Sequence, residues 1–155
     1  MNPANKVELF TDGAYSRLRN IGGYAYILQY LKWDIENEEY RLVKEKQFSL
    51  EIVGTTSNRM EILAAIEGLN ALTRPCIVEI ISDATYLVDT INKWITSFIK
   101  DPNRANLDLM LELHKAILKH KSVKATWVKG HSNNVRNDRV NELAQKAAGT
   151  WKGKT

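Results

Sequence analysis

Asp12, Glu61 and Asp83 are the residues of this chain whose types and spacing could do chemistry. Asp12 follows the apolar stretch Val7–Phe10, and Asp83 follows a second one, Ile77–Ile81. Glu61 lies one helical turn beyond Thr55, Thr56 and Ser57, whose hydroxyls suit a helix N-cap. If the two apolar stretches are parallel neighbouring strands, both aspartates emerge at their carboxyl ends, where open α/β sheets build their sites. Three carboxylates on one spot repel one another unless a cation sits among them. Oxygen-only ligands favour Mg2+ or Mn2+ over zinc. Two such ions about 3.5–4 Å apart could hold the attacking water and the leaving oxygen of a phosphoryl displacement. Each acid also has a plainer role: Asp-Gly after a strand is a common turn, and an early helical Glu complements the dipole.

The elements that would position these acids can be read from periodicity. Residues 6–12, 23–31 and 40–50 read as three strands of an antiparallel meander, with the acidic stretch 34–39 as a turn. From residue 57 to 72 the apolar period becomes helical, and residues 76–82 return to a short β-branched run typical of a buried strand. Leu87, Ile91, Trp94, Ile95 and Phe98 stripe one face of a helix that Asp101-Pro102-Asn103 stops. Residues 107–120 form another helix and 123–128 another strand, while Val140, Leu143, Ala144, Ala147 and Ala148 stripe a last helix. Strands alternating with helices join a sheet in parallel through right-handed crossovers. The expected fold class is therefore α/β, a five-stranded mixed sheet flanked by helices. One domain over residues 6–149 is expected, with a loose tail over 150–155.

Bulk composition narrows the classes. With 44% hydrophobic residues in 155, the chain can bury a core and is not disordered. The formal charge of +4 suits a polyanionic partner, though only mildly. Cys76 is the single cysteine, which excludes an internal disulfide and multi-cysteine zinc motifs. No apolar run is long enough for a signal core or a membrane span, so the expectation is a cytoplasmic monomer with no membrane partner.

Five local strings occur in order: Phe-Thr-Asp-Gly (10–13), Thr-Thr-Ser-Asn-Arg-Met-Glu (55–61), Ile-Ser-Asp-Ala-Thr-Tyr (81–86), Trp-Val-Lys-Gly-His-Ser (127–132) and Asn-Glu-Leu-Ala (141–144). Together they resemble the type 1 ribonuclease H family over nearly the whole chain. The resemblance implies the ribonuclease H-like fold and hydrolysis of the RNA strand of RNA–DNA hybrids by two Mg2+ ions, which Mn2+ can replace. It assigns Asp12, Glu61 and Asp83 as metal ligands, and His131 as a mobile proton carrier near the leaving group. It places Gly13 and Asn58 at the minor groove, Trp94 against a deoxyribose, and Thr56 and Asn106 at a DNA-strand phosphate. Read without it, Thr56 is a helix cap, Asn106 a polar loop residue, and Trp94 part of an apolar stripe.

The pattern breaks in two places. Asn141 stands where the family carries its fourth carboxylate, a metal ligand, and an amide oxygen coordinates without charge. Asp138 shares the helix face of Asn141 and Glu142 points about 100° away, so either is a candidate to compensate. Three explanations stay open: a deliberate Asp→Asn exchange, a native Asn with weak turnover, or a module that binds hybrid without cutting it. After Asp12, Leu18 fills a position where the family often has a substrate-contacting Asn. A domain detached from a reverse transcriptase is a further alternative. A resolvase is disfavoured by the full set of strings.

Overall fold

The computed structural model describes residues 3–130 and 134–153. Strands β1 (Lys6–Ser16), β2 (Ile21–Asp34) and β3 (Glu39–Val53) form the antiparallel meander. After helix α1 (Ser57–Asn70) the chain enters β4 (Ile77–Ser82), which lies parallel to β1. A helical run then carries α2 (Thr85–Asp89), a π-helical turn at Thr90–Trp94, and α3 (Ile95–Phe98). Helix α4 (Leu107–Leu118) leads to β5 (Ser122–Trp127), parallel to β4, and α5 (Val135–Ala148) closes the fold. The sheet order is β3-β2-β1-β4-β5, the mixed sheet expected.

Side-chain alternation along β1 explains the layering. Leu9 enters the core shared with Ile62 and Leu69 of α1 and Met110 and Leu113 of α4. Phe10, its neighbour, points to the opposite face and packs with Ala25, Ile27, Ile81 and the α5 residues Val140 and Ala144. Helices thus cover both faces of the sheet at β1 and β4, as parallel strands require, while β3 at the meander edge stays largely exposed. Close approach of α5 depends on Gly23 in β2: a Cβ there would lie 2.5 Å from the Ala144 carbonyl oxygen and from the Ala148 nitrogen.

Two expectations need correction. First, Asp12 does not end β1, and Asp12-Gly13 is not a turn. The strand runs on to Ser16, with Asp12 opposite Ala25 and Gly13 opposite Tyr24 of β2. What ends near Asp12 is the parallel pairing, whose last rung is Phe10–Ile81. The departure of β4 therefore opens the space beside Asp12.

Second, the striped helix is not one regular α-helix. The π-helical turn widens the backbone and shifts its phase, so Trp94 leaves the stripe and is 42% exposed while Ile95 stays buried. Trp94 rests on Phe98, with ring centroids 5.8 Å apart. The same turn presents Asn92, whose amide pairs both ways with the backbone of Ala125, donating at 2.8 Å and accepting at 2.9 Å. That side chain satisfies the outer edge of β5, beside which no strand lies among the described residues.

At the end of α5, Gly149 adopts φ 75° and the Thr150 amide donates to the Gln145 carbonyl at 2.8 Å, a Schellman closure of the helix.

Candidate metal centre

Asp12 is only 4% exposed and projects from the side of β1 that α5 covers. Asp83 follows the last residue of β4. Trp127, at the end of β5, donates its indole N–H to the Asp83 carbonyl at 3.0 Å and so fixes the turn from which that acid emerges. Glu61 reaches the same spot from α1, which Thr56 starts by accepting the Arg59 amide at 3.2 Å. One carboxylate oxygen from each of Asp12, Glu61 and Asp83 lies within 4.8 Å of the others.

Gly13 allows that meeting. An added Cβ would sit 2.6 Å from the Glu61 nitrogen and 2.7 Å from the Met60 carbonyl carbon, backbone atoms that can yield only if α1 moves. Gly13→Ala is expected to lower stability by about 1–3 kcal/mol, as overpacking does, and to weaken Mn2+ binding by pushing Glu61 away from Asp12. Denaturant unfolding and calorimetric Mn2+ titration measure the two effects. An unchanged Mn2+ affinity would show that α1 does not need this contact to place Glu61.

The electrostatics suit a cation. Burial, followed by the Asp83 charge, pushes the Asp12 carboxyl up from 3.8 to about 7. Burial and the Asp12 charge hold Glu61 well above the ordinary carboxylate range. Glu61 Oε2 is sealed from solvent without a hydrogen-bond partner. A buried acceptor left unpaired is costly, and an oxygen-ligated divalent cation would satisfy it while neutralising the repulsion. The residues present fit such an ion.

These shifts have a definite sign. An acid whose pKa is raised by folding binds its proton more tightly in the folded state, so stability is lost as pH rises. For Asp12 the loss should run from about pH 4, its unfolded range, to about pH 7. Metal-free protein should therefore lose thermal stability across that window, and millimolar Mg2+ should restore it at pH 8. Melting temperatures with EDTA and with Mg2+ test this; a metal-free protein whose stability is flat from pH 4 to 8 would contradict it.

The other expected site residues are distributed as follows. Asn141 lies half-buried on α5, next to Val140, on the helix that covers the Asp12 face. Among the described residues the acid cluster comprises the three carboxylates alone, so neither Asp138 nor Glu142 joins it. Glu142 instead pairs with Lys146 at 3.4 Å, and Asp138 is exposed. Thr56 and Asn58 are exposed at the start of α1. Asn106 takes a left-handed conformation with φ 60°, and its side-chain oxygen accepts from Arg59 at 3.3 Å. Arg59 also grips Asp108 with two hydrogen bonds of 3.0 and 2.8 Å, so one guanidinium ties α1 to the start of α4. His131 lies outside the described residues. Gly130 before it approaches Asp83 so closely that a Cβ would meet Oδ2 at 2.9 Å.

Sequence reading missed Trp127, Arg59 and Asn92 as supports. Trp127 and Arg59 lie inside recognised strings and Asn92 within the striped helix, but their partners, the Asp83 carbonyl, Asn106 and Asp108, and the Ala125 backbone, are distant in sequence and no local pattern reveals them.

Known proteins agree with this architecture. The pattern of the family described as RNase H matches residues 4–149. A ribonuclease H of Campylobacter jejuni is 38% identical over 144 residues, covering 92% of this chain and 90% of that protein. One from Erythrobacter litoralis is 42% identical over 151 residues, covering 92% and 96%. A crystal structure of a type 1 RNase H carrying the type 2 active-site motif superposes with a TM-score of 0.78 at 26% identity, covering 95% of this chain and 74% of that one. The chain belongs to the RNase H family.

Proposed function

We propose that this chain hydrolyses the RNA strand of RNA–DNA hybrids at a centre built on Asp12, Glu61 and Asp83. The observation that carries the reading is the convergence of three carboxylates within 4.8 Å around a buried, unpartnered Glu61 oxygen, in a chain of this family. Two bound Mg2+ ions, or Mn2+ in their place, would supply positive charge to activate a water and stabilise the leaving oxygen. Asp12 and Asp83 would hold the ions from the sheet and Glu61 from α1. Asn141 offers an uncharged amide oxygen from α5. Water attacks phosphorus, the bond to the 3′-oxygen breaks, and the products carry a 3′-hydroxyl and a 5′-phosphate. His131 carries the proton to or from the departing group, a task an imidazole titrating near neutrality suits.

The substrate contacts belong to the same reading. Gly13 and Asn58 lie against the RNA in the minor groove, where 2′-hydroxyls distinguish it from DNA. Exposed Trp94 offers a flat face to a deoxyribose, supported by the π-helical turn that frees it from the core. Thr56 and Asn106 hold a DNA-strand phosphate; the Arg59 bond to the Asn106 oxygen supports this, because it engages the acceptor and not the donor end of the amide. A monomer in a reducing cytoplasm completes the proposal, supported by the single free thiol of Cys76.

The test is cleavage of hybrid, duplex RNA, duplex DNA and a four-way junction with Mg2+ or Mn2+. Cutting of the RNA strand of the hybrid alone is expected. Tight hybrid binding with no cleavage under either ion would favour the non-catalytic module that Asn141 permits. Cleavage confined to the junction would overturn the substrate assignment.

A further inference from the structure

The opposite end of the sheet carries a second concavity. A cavity of about 500 Å³ opens where β1 and β4 begin, lined on its apolar side by residues including Tyr30, Leu31, Val43 and Ile77. Lys6, Lys32, Arg74 and Lys121 also line it, and no lining residue is acidic. Of these four cations only Lys6 has an ion pair among the described residues, a long one of 4.0 Å to Glu79. Lys32, Arg74 and Lys121 are solvent-exposed and give this rim a positive potential that favours an anion. Cys76 sits in the wall, half-buried, with its thiol donating to the Arg74 carbonyl at 3.1 Å and its own carbonyl accepting the Lys121 amide at 3.0 Å.

Asp12 lies five positions along β1 from Val7, in the cavity, or about 17 Å at strand rise, so a small ligand here does not reach the acids. Duplex nucleic acid shows phosphates on a convex surface and keeps its bases stacked. An apolar hollow rimmed by cations instead suits a small molecule that joins a flat ring to a phosphate.

We propose that this cavity binds a free nucleoside monophosphate, its base against Tyr30, Leu31 and Val43 and its phosphate among Lys32, Arg74 and Lys121.

Cys76, the only thiol of the chain, reports occupancy directly. Its alkylation by iodoacetamide would be timed in the full-length protein with AMP, with inorganic phosphate, with a hybrid duplex, and in salt of matched ionic strength. Millimolar AMP is expected to slow alkylation about fivefold, with phosphate protecting less. Arg74→Ala with Lys121→Ala is expected to raise the AMP concentration for half-protection about tenfold while hybrid cleavage stays unchanged. Because Lys121 lowers the thiol pKa that burial raises, each variant is judged by its own ratio with and without AMP. Equilibrium dialysis of labelled AMP gives a second readout that does not depend on the thiol. Absence of AMP protection, equal protection by phosphate or duplex, or protection indifferent to the two substitutions would overturn the proposal.

Discussion

Asp12→Asn is expected to reduce hybrid cleavage on the order of a thousandfold, about 4 kcal/mol of barrier, while making the metal-free protein more stable at pH 8. The two effects have one origin. Asp12 is buried beside Asp83 and Glu61, and its proton is held up to about pH 7. Above that pH its charge is forced on the folded state by deprotonation, and each unit of raised pKa corresponds to about 1.4 kcal/mol. Removing the charge relieves a cost on the order of 4 kcal/mol at most and leaves an amide that can hydrogen-bond Glu61. The same removal takes away a ligand that a divalent ion needs, so cleavage fails where stability improves. Melting at pH 8 with EDTA, alongside single-turnover cleavage in Mg2+, measures both. A variant that loses activity and stability together would mean that Asp12 holds the fold rather than opposing it.

Asn141→Asp is expected to raise cleavage about ten- to a hundredfold in Mg2+, the range over which support of a metal ligand commonly matters. Among the described residues no acid substitutes for Asn141: Glu142 is engaged by Lys146, Asp138 is exposed, and neither stands in the acid cluster. A fourth carboxylate would add charge where the amide adds only a dipole, so the gain should be larger at low Mg2+ than at saturation. It should also steepen the loss of metal-free stability with pH. Titrating cleavage against Mg2+ for both chains measures this; an unchanged rate at every concentration would mean that Asn141 already serves as well as an acid.

The order of strands and helices was legible because it depends on periodicity, and Leu9 and Phe10 show why: adjacent apolar residues serve opposite faces of a sheet covered twice. The three acids were legible from the strings that contain them. The extent of β1 was not, because Asp-Gly is a turn signal only when nothing packs on the glycine, and here α1 does. The π-helical turn was equally hidden. Trp94 fits a regular apolar stripe by spacing, and only the pairing of Asn92 with the β5 edge shows what the widened turn accomplishes. The basic cavity could not be read at all, since Lys6, Lys32, Arg74 and Lys121 come from four separate stretches of chain.

Strand β1 has an antiparallel neighbour from the meander and a parallel one that arrives only after the α1 crossover. The three acids consequently meet only when segments far apart in sequence have docked. Through most of the folding search their charges remain solvated and apart. If that docking completes after the transition state, the repulsion among them falls mainly on the finished structure. It should act chiefly by hastening unfolding, leaving the rate of assembly nearly untouched. A bound cation would correspondingly act as a brake on opening, lengthening the life of the native state without guiding the chain toward it.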